Sequence, residues 1–184
     1  MEFLTPRLRL REFVDSDYLA LREMDLHAEL HFYERELPSL VETRQALDAY
    51  IKDQKVVPRV EFRLAITIIP HDTVRGIVKL ARQWEAIREW ETGWAIHPEE
   101  WGKGYATEAA RHLIDWGFNE LNIHRVVAFC HASNAASVRV MEKLGMHQDG
   151  HLRETRWLKD EWWDEYLYAI LEKEWKGIKD VGGI

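Results

Sequence analysis

Two glycines that precede a long helical pattern are the residues of this chain best suited to bind a phosphate group. In the segment WAIHPEEWGKGYATEAARHLIDWGF, a strand pattern ends at Ile96, Gly102 and Gly104 follow, and the helical pattern begins near Tyr105. Glycine lets the backbone approach a ligand closely. The first N–H groups of a helix are unpaired and lie at the positive end of its dipole. The spacing therefore predicts an anion site, although a tight turn alone would use the same glycines.

The known phosphate-binding motifs do not fit this segment. Gly102-Lys103-Gly104 is too short for the GxGxxG pattern of dinucleotide-binding folds, and it lacks the GK[ST] ending of a P-loop. Both interpretations are excluded.

A second helical pattern also begins with polar residues of possible function. In SNAASVRVMEKLGM, Ser133 and Asn134 are a good helix-capping pair. Arg139 and Lys143 lie four residues apart on one helical face. This face is either a site for an anion or a solvated basic surface.

Histidine and cysteine give no sign of a metal site or a disulfide. No HExxH spacing occurs, and His27 and His31 are four apart without an evident third ligand, so we expect no metal. The single cysteine, Cys130, has no partner for an internal disulfide and no adjacent base, so we expect it to be a strand residue.

Composition narrows the class of protein further. The chain has 184 residues, and 25 Lys plus Arg against 32 Asp plus Glu give a net charge of −7, which disfavours DNA as a partner. The start MEFLTPRLRLREF has no apolar signal-peptide region, and no apolar run is long enough to span a membrane. We therefore expect a cytoplasmic protein with no membrane association.

The elements that must position these residues form a mixed α/β pattern. Strand patterns are expected at residues 7–13, 61–69, 74–80, 90–96, 124–130, 146–153 and 166–172, and helical patterns at 17–27, 41–55, 105–121 and 134–144. Three successive central strands predict antiparallel pairing there. The strand–helix–strand unit from Trp90 to Cys130 is long enough for a parallel crossover.

Four segments together resemble the GNAT N-acetyltransferases. Trp101 to Ala106 is similar to the acyl-CoA signature Gln/Arg-x-x-Gly-x-Gly/Ala, except that Trp101 replaces Gln or Arg. GYATEAARHL resembles the branch of ribosomal-protein N-terminal acetyltransferases, and so do TPRLRLREF, NAASVRVMEKLGM and DEYLYAILEKEW. The resemblance extends from about residue 5 to 175. It implies one domain over residues 1–184 (core about 5–176), with a central, mostly antiparallel sheet that is splayed open and flanked by helices.

The resemblance also implies acetyl-CoA as co-substrate, with residues assigned by position. The backbone of Trp94, Ala95 and Ile96 would pair with the pantetheine arm, which Asn134 would also contact, and Arg139 and Lys143 would meet a CoA phosphate. Trp101 would cover the pyrophosphate or only pack the loop. The residues expected to hold the pyrophosphate are Gly102, Lys103, Gly104, Tyr105, Ala106 and Thr107.

Acetyl transfer to an amine requires a base, because alkyl amines are protonated near neutral pH. Glu91 is the first candidate, since it lies on the strand that leads to the loop, and a charge beside Trp90 is costly without a role or a partner. The alternatives are a structural ion pair of Glu91 with Arg75 or Arg88, and a base at His97 or His124.

The acid that protonates the departing thiolate is less apparent. Many GNAT enzymes use a Tyr at the position of Met141, which cannot donate a proton. The resemblance implies Ser137, one turn earlier, as the donor. Ser137 would alternatively be a small residue that permits close packing.

The acceptor is open: a protein N-terminus or a small-molecule amine. Irregular segments at residues 32–40 and 157–163 would line its pocket, with aromatic side chains packed around a cation or serving as loop anchors; these are Tyr33, Trp84, Trp162 and Trp163. The competing functions are a non-catalytic acyl-CoA sensor or scaffold, and an unrelated phosphate-binding regulator. We expect a monomer or a homodimer.

Overall fold

The computed structural model describes residues 1–31 and 37–182. Its helices are α1 (Tyr18–Asp25), α2 (Leu40–Asp53), α3 (Tyr105–Glu120), α4 (Ala135–Lys143) and α5 (Glu172–Gly182). Its strands are β1 (Glu2–Leu4), β2 (Leu8–Arg11), β3 (Glu61–Ile68), β4 (Val74–Trp84), β5 (Glu89–Ile96), β6 (Arg125–His131), β7 (His147–Leu158) and β8 (Glu161–Leu171). The predicted mixed α/β class is confirmed.

The strands form one open sheet in the order β1-β2-β3-β4-β5-β6-β8-β7. The pairs β1–β2, β2–β3, β6–β8 and β7–β8 are antiparallel. β3, β4 and β5 are consecutive neighbours whose connections are too short for a parallel crossover, so they form the predicted antiparallel meander.

The pair β5–β6 is parallel, and α3 lies in the connection between the two strands. Their register joins Glu89, Trp90 and Glu91 to Arg125, Val126 and Val127. β5 continues beyond this register for five residues, to Ile96. The predicted open, mostly antiparallel sheet is confirmed.

The chain divides into two compact units, one of Met1–Lys79 with Trp94–Ala109 and one of Leu80–Gly93 with Ala110–Ile184. The first has a core of six buried residues: Phe13, Leu21, Met24, Leu47, Ala65 and Val74. In the second, the rings of Phe118 and Trp175 lie 5.9 Å apart, and the Trp175 indole donates to Asp115 at 2.9 Å. The single domain over residues 1–184 stays a prediction.

Three local predictions differ from the structure. Strand β1 and helix α5 were not expected from the sequence. The segment from Trp157 to Trp163, expected to be irregular, is a tight hairpin in which Trp157 pairs with Trp162 and only Lys159 and Asp160 form the turn. Lys159 and Asp160 have φ of 52° and 60°, as a type I′ turn requires, without the glycine that normally marks such a turn.

Part of the expected acceptor pocket, Tyr33 and its neighbours at residues 32–36, lies outside the described residues. In the described part of the chain, no helix is both long and apolar enough to cross a membrane. No group of three or more His, Cys, Asp and Glu side chains within the same ranges is arranged to hold a metal ion.

Candidate functional site

The loop between β5 and α3 is built around two glycines with left-handed backbone. Gly102 has φ of 76° and Gly104 has φ of 84°, a region that side chains with a Cβ rarely adopt. A Cβ at Gly102 would meet nothing within 4 Å, so the backbone angle rather than crowding favours glycine there. The glycines therefore form the tight turn that was the alternative to an anion site, and the anion site itself stays a prediction.

This loop presents an uninterrupted series of backbone donors. The first backbone hydrogen bond of α3 runs from the Glu108 N–H to the Gly104 carbonyl, at 3.1 Å. The N–H groups of Gly102 to Thr107 donate to no acceptor among residues 1–31 and 37–182. Residues 102–104 are exposed and residues 105–107 half-buried. We call these six consecutive groups the amide run; they suit an anion with several oxygens.

The charged side chains beside the amide run are paired with each other. Lys103 donates to Glu100 at 2.7 Å, and this hydrogen bond raises the pKa of Lys103. Glu108, in the first turn of α3, accepts from the Arg7 guanidinium at 2.7 Å. Because each cation has a carboxylate partner, the unpaired positive potential here comes mainly from the backbone.

Trp101 holds the loop to the end of the strand. Its indole N–H donates to the Ile96 carbonyl at 2.6 Å, and half of the residue, 50%, remains exposed. The contact supports the loop-packing alternative for Trp101. The strand expected to pair with the pantetheine arm ends at Ile96, the residue that accepts this hydrogen bond. Trp94 and Ala95 are half-buried, and Ile96 is buried.

The start of α4, in the second unit, is arranged differently. Asn134 accepts the Ser137 N–H through its side-chain oxygen at 3.0 Å, so the predicted helix cap is confirmed. The Ser137 side chain is half-buried, whereas Arg139 and Lys143 are exposed. Binding of CoA by Asn134, Arg139 and Lys143 stays a prediction, and so does protonation of the thiolate by Ser137.

Glu91 is half-buried on β5 and accepts a hydrogen bond from the Gln83 side chain on β4. The arginines expected as alternative partners bond elsewhere: Arg75 donates to Glu99 at 3.1 Å and Arg88 to Asn122 at 2.6 Å. The Gln83 amide holds the Glu91 carboxylate in one orientation. A fixed orientation suits a group that must accept a proton.

The other candidate bases have structural contacts. His97 is only 1% exposed, its Nδ1 accepts the Glu99 N–H at 3.3 Å, and burial lowers its pKa. His124 is exposed, and its N–H donates to the Arg88 carbonyl at 3.0 Å. These contacts are structural: His97 lies in the turn after β5, and His124 precedes β6.

Cys130 fits the strand role expected of it. It is buried on β6, and burial, with a smaller effect of Glu165, raises its pKa to about 11. The thiol is therefore protonated near neutral pH and is a poor nucleophile.

Two polar residues were missed by sequence reasoning. His131 ends β6, its Nδ1 accepts the Ser133 N–H at 3.0 Å, and burial lowers its pKa. Arg7 lies against the amide run and bonds both Glu108 and the Lys103 carbonyl. For His131, the available signal was its position three residues before Asn134. For Arg7, it was the alternation of arginine with leucine in RLRLR.

Residues 7–147 match the family model of the acetyltransferase (GNAT) domain. The chain is 34% identical over 175 residues to the uncharacterized N-acetyltransferase YnaD of Bacillus subtilis, covering 95% of this chain and 99% of that protein.

Solved structures match the fold at lower sequence identity. The ribosomal-protein-S5-alanine acetyltransferase of Vibrio fischeri matches with a TM-score of 0.81 and 20% identity, over 95% of this chain and 98% of that one. The spermidine N-acetyltransferase of Vibrio cholerae, in complex with CoA and spermine, matches with a TM-score of 0.79 and 22% identity, over 94% and 99% of the two chains.

Proposed function

Because the chain belongs to the GNAT acetyltransferase family and is an N-acetyltransferase, we propose that it transfers the acetyl group of acetyl-CoA to a primary amine. The transfer is a direct attack of the amine on the thioester in a ternary complex. The observation that carries the proposal is the amide run, Gly102 to Thr107. The family expected from the sequence is confirmed, and an unrelated phosphate-binding regulator is excluded.

In this proposal the amide run holds the pyrophosphate of acetyl-CoA. Six donors without a partner in the described residues suit the several oxygens of a pyrophosphate, and the start of α3 adds the positive end of its dipole. The backbone of Trp94, Ala95 and Ile96 pairs with the pantetheine arm in the manner of an added strand. Asn134 contacts the same arm, and Arg139 and Lys143 reach a CoA phosphate.

The proposed base is Glu91, directly or through one water. An ammonium group has no lone pair for the attack, so its proton must first leave. Glu91 is half-buried and held by Gln83, which keeps the carboxylate in one orientation. Ser137 then protonates the CoA thiolate or positions a water that does so.

The acceptor is an amine of one of two kinds, a protein N-terminus or a small molecule. The fold neighbours include one enzyme named for each kind, a ribosomal-protein acetyltransferase and a spermidine acetyltransferase. The net charge of −7 is compatible with cationic acceptors of both kinds. The cytoplasmic location, the lack of DNA binding and the monomeric or homodimeric state stay predictions.

One experiment separates this proposal from a non-catalytic sensor or scaffold. The purified chain is titrated with CoA by calorimetry, and thiol release from acetyl-CoA is then followed with polyamines, aminoglycosides, amino-acid analogues and N-terminal peptides. Binding with release for at least one amine supports the enzyme. Binding without release for any amine supports the sensor, and absence of CoA binding contradicts the proposed site.

A further inference from the structure

The turn between β1 and β2 provides a side chain that contacts the amide run. The Arg7 guanidinium donates to the Lys103 carbonyl at 2.9 Å and to Glu108 at 2.7 Å, and it lies over the Tyr105 ring, 4.7 Å from its centroid. Arg7 therefore contacts the loop before α3, the first residue of α3 and a residue in its first turn. Its side chain is 47% exposed.

Glu108 fixes the position of this arginine. Besides the guanidinium, its carboxylate accepts the Thr5 hydroxyl at 2.6 Å and the Arg7 backbone N–H at 3.2 Å. Three kinds of donor from one short turn therefore converge on a single side chain of α3. The carboxylate holds Arg7, and Arg7 in turn holds the Lys103 carbonyl.

The bond to the Lys103 carbonyl matters because the next residue is glycine. Glycine populates positive and negative φ about equally, so the peptide between Lys103 and Gly104 can rotate as a unit at low cost. In a trans peptide, the C=O and the N–H point in opposite directions. A flip of this peptide would replace the Gly104 donor by the Lys103 carbonyl, whose partial negative charge repels a phosphate.

We propose that Arg7 is a positioning residue which, by holding the Lys103 carbonyl, keeps the Gly104 N–H aligned with the other donors of the amide run. The inference rests on the proposed binding of acetyl-CoA at this loop. Arg7 acts on affinity for the acyl donor and leaves the acid–base groups untouched. Its loss therefore raises KM for acetyl-CoA and changes kcat little.

The principal test compares Arg7→Met with Arg9→Met. Both replacements keep an unbranched stem; Arg9 is two residues away on β2, and its ion pairs are to Glu2 and Asp72. For Arg7→Met, we expect Kd for CoA and KM for acetyl-CoA to rise about threefold to tenfold. This rise corresponds to a binding-competent fraction of roughly 0.3 to 0.1. We expect Arg9→Met to match the wild type, and Arg7→Lys to recover part of the affinity.

A second readout follows the peptide without any ligand. In ¹⁵N relaxation-dispersion spectra, Arg7→Met should add exchange at Lys103 and Gly104, on the microsecond-to-millisecond timescale that this method detects. The wild type and Arg9→Met should show none there. If Arg7→Met does not fold, Glu108→Gln weakens the same arrangement and is measured in its place.

The outcomes distinguish this inference from the proposed function. Reduced affinity together with new exchange at Gly104 supports the positioning role. Reduced affinity with an unchanged Gly104 signal overturns it, and so does wild-type affinity. If the wild type binds no CoA, the proposed function fails, and the Gly104 exchange alone then supports or overturns the role of Arg7.

Discussion

The helices α3 and α4 begin in opposite ways. At α4, the side chain of Asn134 accepts the Ser137 N–H and so satisfies one of the free donors of the first turn. At α3, the residue in the equivalent place is Gly104, whose carbonyl accepts the Glu108 N–H but which has no side chain to cap the helix. The start of α4 therefore has a side-chain cap, whereas the six donors of the amide run at the start of α3 have no acceptor among the described residues.

The difference shows what distinguishes the proposed ligand-binding helix start in the sequence. Helix α2 also begins with an internal cap, because Ser39 and Glu42 exchange side-chain and backbone hydrogen bonds. The starts of α2 and α4 therefore have a side-chain cap, and the start of α3 has glycine. Helix α1 also begins without a side-chain cap hydrogen bond, so the informative signal is glycine before a strong helical pattern rather than a missing cap alone.

The largest expected effect comes from Glu91, which lies on β5 and not at the start of α3 or α4. It tests whether proton transfer can be lost while CoA binding is kept. Glu91→Gln removes the proposed base and should lower turnover at pH 7 about 100-fold, the lower end for a general base. CoA affinity should stay nearly unchanged, and raising the pH should recover part of the rate because free amine accumulates. Thiol-release rates from pH 6 to 9, with calorimetry of CoA binding, check this.

Glu85→Gln is the control for Glu91→Gln, since Glu85 lies in the turn after β4, paired with Arg82. If Glu91→Gln kept wild-type turnover over the whole pH range, Glu91 would be a structural residue. The base would then be sought first at His97 or in solvent.

The next test gives the start of α3 a polar side chain at the position where α4 has Asn134. Gly104→Asp introduces a capping carboxylate, a Cβ at a left-handed position and a negative charge at the proposed phosphate site. CoA affinity should fall about tenfold or more, which corresponds to ~1.4 kcal/mol or more. Gly104→Asn is the matched control, because it adds the cap and the strain without the charge and should lose less. Unchanged calorimetric affinity in folded Gly104→Asp would rule out this placement of the phosphate.

A smaller effect is expected from the hydroxyl near the start of α4. Ser137→Ala should lower turnover less than tenfold, because a thiolate is already a tolerable leaving group, and should leave the alkaline rise in rate intact. Ser133→Ala removes the exposed hydroxyl just before the same helix and should retain wild-type turnover. Equal rates for the two variants would assign Ser137 to packing.

The Asn134 cap can be separated from any contact that Asn134 makes with CoA. Asn134→Ala should cost about 1 kcal/mol of unfolding free energy through the lost cap. Asn134→Asp keeps a capping oxygen and should retain most of the stability. If the amide also binds the pantetheine arm, both variants should weaken CoA binding severalfold. Wild-type affinity in Asn134→Asp would show that α4 begins with a cap alone.

The smallest effect concerns His97, which precedes the loop. Burial lowers its folded-state pKa below the ordinary value of 6.5, so the unfolded chain binds a proton that the folded chain does not. Its contribution to stability is therefore present above about pH 6.5 and is lost as the pH falls through the lowered pKa. His97→Gln should show a shallower loss of unfolding free energy between pH 7.5 and 5. An identical slope in both proteins would contradict the assignment.

Much of the fold follows from local patterns in the sequence. Strand patterns in series predicted the three central strands, and the predicted start of α3 at Tyr105 is confirmed. The turn at Lys159 and Asp160 was missed because it adopts positive φ without glycine. Helix α5 was missed because it follows β8 directly, with no turn residue between Leu171 and Glu172.

The candidate site was predictable where it depends on the backbone and less so where it depends on distant side chains. Gly102 and Gly104 lie beside α3 in the sequence, so their spacing predicted the loop. Arg7 is about a hundred residues from Glu108 in the chain, and only the folded protein brings the two together. The Gln83 bond to Glu91 likewise depends on the register of β4 with β5.

The amide run also has a consequence for how such a chain can diverge. Every residue except proline carries a backbone N–H, so mutations at positions 103 and 105–107 can change the side chains without removing a donor. Within the loop, replacement of a glycine, introduction of a proline or a change in loop length would disrupt the arrangement. In the proposed function, recognition of the acyl donor is thereby protected from most point mutations, and selection can alter the acceptor side of a descendant while the donor stays the same.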